Sequence, residues 1–506
     1  MRKTALMLAL CLLLGGCATS PATTLPHTVE NPPASEPLTA PSTKERSFTM
    51  AYMAEDTLNP YLCASKLTRD MLSLVYWPIV SIGESFRAVP QIAEEVSSSD
   101  GGLTWQIRVR QDLFFSDGTA LKAKHVTDSL NYVRKTSKSL YFEQTADIQS
   151  VKSGDYTVTV TLETANPYFD LLLDIPVTSK PSTKENLVGC GAYRLLRGEE
   201  DSISLQANPY FPETIGVTEI LLAAVSDGDG AVLSFSNGVL DLYYAEDYHG
   251  ELFSHKHDYE IREFDTSRLT FLSVQTLSKK NPCLQDEKVR RALSAFIDRS
   301  ELVRKACSSL AVEAQGLIHS NHPLASLLSE TEQAADLLEN CLAEYGYTKR
   351  DEEGYLVNRK GARITLVLLT NRENDRRRAI GQQLVERLEQ AGIQVQWNEY
   401  GWHRFSSELK EGNYDLVLLE TKLRADMDLT AFFAGGSLCA YGYETEAPLS
   451  VAEAWGILNT QMPVIPLVYG RAAVFNTRKL HLAMSSFYEH PYARFHLNTW
   501  RGEDNA

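Results

Sequence analysis

Hydrophobic and polar positions repeat along the chain with two different periods. Residues 105–110 and 156–163 alternate between apolar and polar side chains and follow turn-forming residues, which predicts two strands of a sheet. Between residues 286 and 306 the apolar positions recur at helical spacing, and Asp286 and Asp298 are suited to cap two consecutive helices. The two periods together predict a folded protein of the α/β class.

The C-terminal half also contains segments of helical spacing and segments typical of strands, in a regular order. Helical spacing over residues 331–347 and 376–393 ends in each case near a glycine, as helices commonly do. An alternating strand at 393–397 and a continuous apolar run at 414–420 follow. This order predicts a lobe built around a mostly parallel sheet.

The first 45 residues have a different character. Arg2 and Lys3 precede a run of about ten apolar residues, half of the roughly 20 that a membrane-crossing helix needs, so residues 1–17 are interpreted as an export signal. Residues 14–17 resemble the lipobox of bacterial lipoproteins, which implies that Cys17 is lipidated and becomes the N-terminus of the mature protein. An ordinary secretory signal with a cysteine at its cleavage site is the alternative. Residues 18–45 are rich in Pro, Ser and Thr and predict a disordered tether.

The composition limits the classes of partner and of chemistry. A chain of 506 residues is too long for one hydrophobic core, so at least two lobes are expected. The net charge of −16 argues against nucleic acid and predicts that a lipid, not surface charge, supplies the membrane attachment. The cysteines beyond Cys17 have no C-x-x-C spacing, and motifs for nucleophilic or phosphate chemistry are missing from the sequence. We therefore expect neither an enzyme nor a cofactor, and His249, His255 and His257 are interpreted as solvated surface, with a metal site as the alternative.

Residues 89–133 carry the most specific pattern in the chain: PQIAEE, a turn, a strand, FSDGT and a helical segment from Ala123 to Val133. Further blocks occur at TLNPY (57–61), VYWPIV (75–80), GCGAYRLL (189–196), LQANPYF (205–211), FSNGVLDLYY (235–244), DEKVRRALSAFIDRSELV (286–303) and MPVIPLVYG (462–470). In this order the blocks resemble family 5 of the bacterial solute-binding proteins, the oligopeptide-, dipeptide- and nickel-binding components of ABC importers.

The resemblance implies an α/β, two-lobed fold like that of periplasmic binding proteins, with an extra inserted domain and a discontinuous first lobe. The expected boundaries are residues 46–83, 187–271 and 470–506 for lobe I, 84–186 for the inserted domain, and 272–469 for lobe II. Two strands that cross between the lobes near residues 271 and 470 would form the hinge about which the lobes close on a ligand.

The resemblance also implies a function. A monomeric extracytoplasmic receptor, anchored to the cell membrane by its lipid, would capture a peptide between its lobes and deliver it to the permease subunits of an ABC importer. A sensor or regulatory lipoprotein without a transport role is an alternative, as is a metal complex or another small solute in place of a peptide. The chain departs from the family pattern at Gln275, where asparagine is usual, and at residues 444–461, where a long helix is shortened.

Residues 414–438 resemble the strand and turn that line the family's cleft. The aspartate that pairs with a peptide's α-ammonium group in peptide-binding members corresponds to Asp426, and residues 422–425 would hydrogen-bond an extended ligand through their backbone. The alternative is that Asp426 pairs with the neighbouring Arg424 or caps the next helix. The other residues expected at the ligand are Arg424, Tyr469, Cys439, Tyr441, Trp402 and Gln275.

Overall fold

The structure is a computed structural model that describes residues 46–182, 188–199, 202–246, 259–308, 310–327, 335–433, 449–487 and 490–501. The expected export signal with Cys17, the tether, Cys439, Tyr441 and the histidines at 249–257 lie outside these ranges. The described residues from Ser47 onward belong to one compact unit. No helix within the described ranges combines the length and the hydrophobicity needed to cross a membrane.

Strands and helices follow one another along the described chain. The strands are β1 (Thr49–Met53), β2 (Val80–Ile82), β3 (Ala88–Pro90), β4 (Ala93–Ser98), β5 (Thr104–Val109), β6 (Ile148–Ser153), β7 (Thr157–Leu162), β8 (Tyr193–Arg197), β9 (Ile203–Ala207), β10 (Glu219–Val225), β11 (Leu242–Ala245), β12 (Tyr259–Val274), β13 (Ala311–Glu313), β14 (Lys349–Arg350), β15 (Leu356–Val357), β16 (Thr365–Asn371), β17 (Gln394–Tyr400), β18 (Leu416–Lys422), β19 (Val464–Thr477), β20 (Leu480–His481) and β21 (Thr499–Trp500). The helices are α1 (Lys66–Leu72), α2 (Ala123–Val133), α3 (Gly228–Ser236), α4 (Glu287–Phe296), α5 (Arg299–Ala306), α6 (Ala335–Glu344), α7 (Asp375–Gln390), α8 (Trp402–Glu411) and α9 (Val451–Gln461).

Three larger sheets organise these elements. The first sheet has the order β1-β10-β9-β8, and the second sheet has the order β4-β5-β7-β6. The large sheet has the order β11-β19-β12-β18-β16-β17, with β13 paired to β19. The prediction of a mostly parallel sheet is wrong, because only β18, β16 and β17 run parallel, whereas β11, β12, β13 and β18 join the large sheet through antiparallel pairings.

The second sheet folds as its sequence pattern predicts. Alternate residues of β5 and β7, among them Ile107 and Val160, are fully buried, while their neighbours along each strand are more exposed. Helix α2 covers this buried face with Val126 and Leu130. The two predicted strands therefore lie side by side in one small α/β core.

Strands β12 and β19 have their two ends in different hydrophobic cores. Phe264 and Val474 pack in the core of the first sheet, whereas Leu272 and Ile465 pack beneath α4 and α7. Between these halves the pairing register shifts, from Asp265 opposite Arg471 to Leu269 opposite Tyr469. The expected domain boundaries stay a prediction, because Ile82 and Leu171 share a third core with residues of the large sheet.

Local signals at the helix ends are confirmed. The Asp286 side chain accepts a hydrogen bond from the Lys288 amide (2.9 Å), and Asp298 accepts one from the Glu301 amide (3.0 Å), so both cap helices as predicted. Gly392, which follows α7, has a φ of 81°, a left-handed conformation that glycine adopts without strain.

Candidate functional site

A cavity of about 330 Å³ lies beside the end of β18, and we call it the cleft cavity. Its walls come from α1, from the segments 140–144 and 171–176, and from residues 422–425. The lining residues are Pro60, Arg69, Asp70, Leu72, Ser73, Tyr76, Pro78, Ile82, Leu140, Tyr141, Gln144, Leu171, Asp174, Pro176, Lys422, Leu423, Arg424, Ala425 and His490. The cavity therefore joins parts of the chain that are more than 400 residues apart, and it includes the segment predicted to hold a ligand.

Asp426 lies behind this wall and is engaged with protein groups. Its carboxylate accepts hydrogen bonds from Nη2 and Nε of Arg424 (2.8 and 3.2 Å), from Nδ2 of Asn166 (3.0 Å) and from the Asp428 amide (3.3 Å). Only 3% of the residue is exposed. Two carboxylate oxygens offer about four acceptor positions, so this set occupies them. The ion pair with Arg424, one of the two alternatives left by the sequence, is present, and contact between Asp426 and a ligand stays a prediction.

Arg424 is held between two carboxylates. Its Nη1 lies 3.2 Å from Asp428 Oδ2, on the side away from its bond to Asp426. Burial disfavours the charged guanidinium, but the two aspartates outweigh burial and raise the pKa of Arg424. About a third of its side chain, 31%, stays exposed, and the residue lines the cavity. The prediction that Arg424 touches a ligand is therefore compatible with its position.

The backbone of residues 422–425 is partly committed to the protein. The Leu423 amide donates to the Ser267 carbonyl (3.1 Å), and the Ala425 carbonyl accepts a hydrogen bond from Nε2 of His322 (3.0 Å). Within the described chain, the amides of Arg424 and Ala425 have no hydrogen-bond acceptor. A ligand added as a strand would use the Arg424 amide, because neighbouring amides of an extended chain point to opposite sides and the Leu423 amide faces Ser267.

Tyr469 and Trp402, which were also predicted at the ligand, do not line the cleft cavity. Tyr469 is 1% exposed, packs its ring 4.6 Å from that of His319, and has a hydroxyl with no hydrogen-bond partner in the described ranges. Burial raises the pKa of this hydroxyl well above its ordinary value. Trp402 begins α8, stacks on Phe405 and is 52% exposed.

Gln275 lies away from the other predicted residues, and its contact with a ligand stays a prediction. Its amide bonds to the carbonyl of Asp415, just before β18, whereas Asp426 follows the other end of that strand. At about 3.3 Å per residue, the seven residues of β18 separate these ends by more than 20 Å. Gln275 lines a different cavity, of about 500 Å³.

Sequence reasoning missed several polar groups of the cleft cavity. Oδ1 of Asp174 lies 2.9 Å from Nε2 of His490, and the Asp174 side chain is 13% exposed. Gln144 contributes a buried Oε1 that lacks a hydrogen-bond partner among the described residues. Lys66 neutralises Asp70 at 2.8 Å. Lys66 and Asp70 are four residues apart on α1, but Gln144, Asp174 and His490 come from distant segments, and no spacing rule in the sequence brings them together.

Apolar groups form the remaining wall of the cavity. Leu72, Tyr76, Ile82, Leu171 and Leu423 all contribute to it. A solute with an apolar body and polar ends matches this lining, since binding pockets combine apolar walls with a few placed polar groups. No group of three or more His, Cys, Asp or Glu side chains in the described ranges is arranged to hold a metal ion.

Comparison with known proteins gives consistent matches. The model of the bacterial extracellular solute-binding proteins, family 5, middle region, matches residues 87–435. The oligopeptide-binding protein AppA of Bacillus subtilis is 22% identical over 392 residues, which cover 72% of this chain and 70% of AppA.

Solved structures share the fold. A nickel ABC transporter protein from Bacillus halodurans has a TM-score of 0.72 and 19% identity, with 89% of this chain and 99% of that chain covered. The substrate-binding protein CtaP of Listeria monocytogenes has a TM-score of 0.72 and 17% identity, with coverage of 90% and 99%. The two-lobed α/β fold expected from the sequence is confirmed by these neighbours, whereas identities this low say nothing of the ligand.

Proposed function

The chain belongs to the bacterial extracellular solute-binding proteins of family 5, and from this premise we propose that it captures a solute in the cleft cavity for delivery to an ABC importer. The observation that carries the proposal is the cavity itself. It is enclosed by α1, by segments next to the second sheet and by residues 422–425 of the large sheet. A solute there would touch both sides of a closing cleft, which is how hinge closure couples to ligand capture.

We propose a short peptide with an apolar side chain as the solute. The apolar wall suits such a side chain, and the amide of Arg424 suits a carbonyl group of an extended backbone. A volume of about 330 Å³ is at the lower end of ligand pockets, which favours a short ligand. The name of the AppA relative, an oligopeptide-binding protein, supports the same class.

A small metal complex is the second candidate. One structural neighbour is named as a nickel transporter protein, and His490 and Asp174 place an imidazole and a carboxylate in the cavity wall. Two such groups do not make up the three or four protein ligands usual in a metal site, so the metal would need to arrive with its own chelator.

Membrane attachment and hinge motion belong to the same proposal. Lipidation of Cys17 would hold the receptor at the outer face of the cytoplasmic membrane, with residues 18–45 as the tether. Replacing Cys17 with Ser should release the folded protein from membranes, and retention of the variant after a high-salt wash would contradict lipidation. The register shift between Asp265 and Leu269 supports a hinge close to the predicted crossing points near residues 271 and 470.

Native mass spectrometry of the purified protein tests the proposal. We expect a co-purified species of peptide mass that dissociates on mild unfolding. Leu140 is 43% exposed and lines the cavity, so Leu140→Asp should reduce the bound fraction without opening the core. Leu277→Asp is the matched control, because Leu277 is 68% exposed and lies in the wall of the other cavity. Equal occupancy in both variants would remove the cleft cavity from the proposal, and a bound metal chelate would favour the second candidate.

A further inference from the structure

The hairpin of β2 and β3 carries an aromatic side chain into the large-sheet side of the cleft. Phe86 lies at its tip and is 2% exposed. Its φ of 49° is unusual for a bulky residue, and such strain persists only where surrounding contacts maintain it. The turn is fixed by a bond from the Phe86 amide to the Gly83 carbonyl (3.0 Å) and one from the Gly83 amide to the Arg87 carbonyl (2.9 Å).

Two buried histidines receive this side chain. The Phe86 ring lies 5.0 Å from the ring of His319 and 5.6 Å from that of His322. The Tyr168 ring lies 5.9 Å from the His322 ring. Both histidines are at most 2% exposed. Phe86 and Tyr168, from two segments beside the second sheet, thus both contact the imidazole of His322 across the cleft.

The same imidazole also holds the wall of the cleft cavity. Nε2 of His322 donates to the Ala425 carbonyl (3.0 Å), and Nδ1 accepts from the Leu324 amide (3.0 Å). A carbonyl only accepts and an amide only donates, so these partners require the neutral imidazole with its proton on Nε2. Ala425 lines the cavity, and its carbonyl is therefore fixed by a side chain that Phe86 and Tyr168 enclose.

We propose that His322 is a positioning residue of the solute site, which holds residues 422–425 in the cavity wall while Phe86, docked against it, links that wall to closure of the cleft. The proposal rests on the proposed function, in that the cleft cavity is taken as the solute site. When the cleft opens, the loss of the Phe86 contact would release the His322 side chain. Loss of the hydrogen bond from His322 to the Ala425 carbonyl would then loosen residues 422–425.

The titration of the histidines determines how the docked form of Phe86 and His322 depends on pH. Burial lowers the pKa of His319 and of His322 to about 4. The charged and titratable groups that face the two histidines are Asp265, which lies towards His319, the Tyr469 and Tyr168 rings, and the other histidine of the pair. Asp265 is itself bound by Arg471 and Asn321. An opened cleft would return their pKa values towards the ordinary value of about 6.5. The docked form is therefore fully favoured above pH 6.5 and loses its advantage as the pH falls towards 4.

Hydrogen–deuterium exchange of the ligand-free protein tests the proposal. The reporter amides are those of Leu423 and Met427, which bond to the carbonyls of Ser267 and Arg424. His322→Ala should accelerate their exchange by about tenfold or more, because residues 422–425 would open locally once the hydrogen bond from His322 is lost. His322→Gln keeps one donor and one acceptor and should stay within about threefold of the wild type. His403→Ala, at an exposed position on α8, is the control and should leave both amides unchanged.

Two further measurements complete the test. Phe86→Ser should accelerate exchange at the same amides, whereas Phe86→Leu should do so less, since it keeps an apolar contact. In the wild type the protection factors should fall between pH 6.5 and 4, and this fall should be smaller in His322→Gln. Unchanged exchange in His322→Ala, or an unchanged pH profile in His322→Gln, would overturn the role of His322. No solute is needed for these measurements, so they can fail or succeed independently of the proposed function.

Discussion

Two carboxylates near the cleft cavity differ in what they face. Asp426 accepts four hydrogen bonds from the protein and lies behind the lining, whereas Asp174 faces the cavity with the His490 ring at 2.9 Å as its close partner. The sequence resemblance singled out Asp426, and nothing in the sequence singled out Asp174. The difference shows that the presence of an acid at a motif position does not establish a free acceptor there, because tertiary partners decide whether its oxygens are available.

Removing the partner of the engaged carboxylate should have the largest effect. Arg424→Ala leaves Asp426 buried with only neutral donors, and we expect the free energy of unfolding to fall by about 2 to 3 kcal/mol, less than for a fully buried pair because Arg424 is partly exposed. Urea denaturation measures the change. Arg404→Ala is the matched control, since Arg404 is 65% exposed beside Glu408, and its loss should stay below about 1 kcal/mol. Equal effects in the two variants would show that the Arg424 pair is no stronger than a surface pair.

The contrast between the two carboxylates can be tested directly by calorimetry. We expect Asp174→Asn to weaken binding of trialanine by about 1.5 to 2 kcal/mol, the lower part of the range for a hydrogen bond to a charged group. N-acetyl-trialanine should be affected much less, because it has no ammonium group. Asp426→Asn should change binding of both peptides equally, through the cavity wall. The opposite result, a loss specific to the free amine in Asp426→Asn, would support Asp426 as the ammonium site and require Arg424 or Asn166 to move aside.

Local rules predicted local structure well. Asp286 and Asp298 cap their helices, because a cap depends on residues within one turn of each other, whereas the helix over Ala123–Val133 was indicated by the family pattern. The family resemblance supplied the two-lobed fold, which no periodicity could have supplied.

Contacts between distant segments were the part that could not be predicted. Asn166 and Asp426 are 260 residues apart, and no spacing rule connects them. Gln275 follows a hydrophobic strand as expected, but strand direction places it at the far end of β18 from Asp426. The parallel character of the large sheet was overestimated for the same reason, since the long strands β12 and β19 pair antiparallel although α4 to α9 lie between them in the chain.

The smallest predicted effect concerns the single hydrogen bond that links Asp426 to the segment following the second sheet. Asn166 donates from Nδ2 to Asp426, and its Oδ1 accepts from the Tyr168 amide at 2.9 Å. Asn166→Asp keeps the acceptor for the turn but replaces the donor with a second negative charge. We expect a loss of about 1.5 kcal/mol in the free energy of unfolding at pH 7, because the half-buried bond to a charged group is lost and repulsion is added.

The matched control for this last change is Asn358→Asp. Oδ1 of Asn358 accepts from the Lys360 amide (2.9 Å) and the Ala362 amide (3.1 Å), so that variant also keeps its turn, and these two amides are its hydrogen-bond partners. Its free energy of unfolding should be unchanged within about 0.5 kcal/mol, as for most surface substitutions. Small-angle scattering adds a second readout, because losing the Asn166 bond should enlarge the radius of gyration of the ligand-free protein. A stability loss at Asn166 with an unchanged radius would mean that the bond stabilises the chain without restraining the cleft, which would leave the contact through Phe86 and His322 as the main restraint on opening.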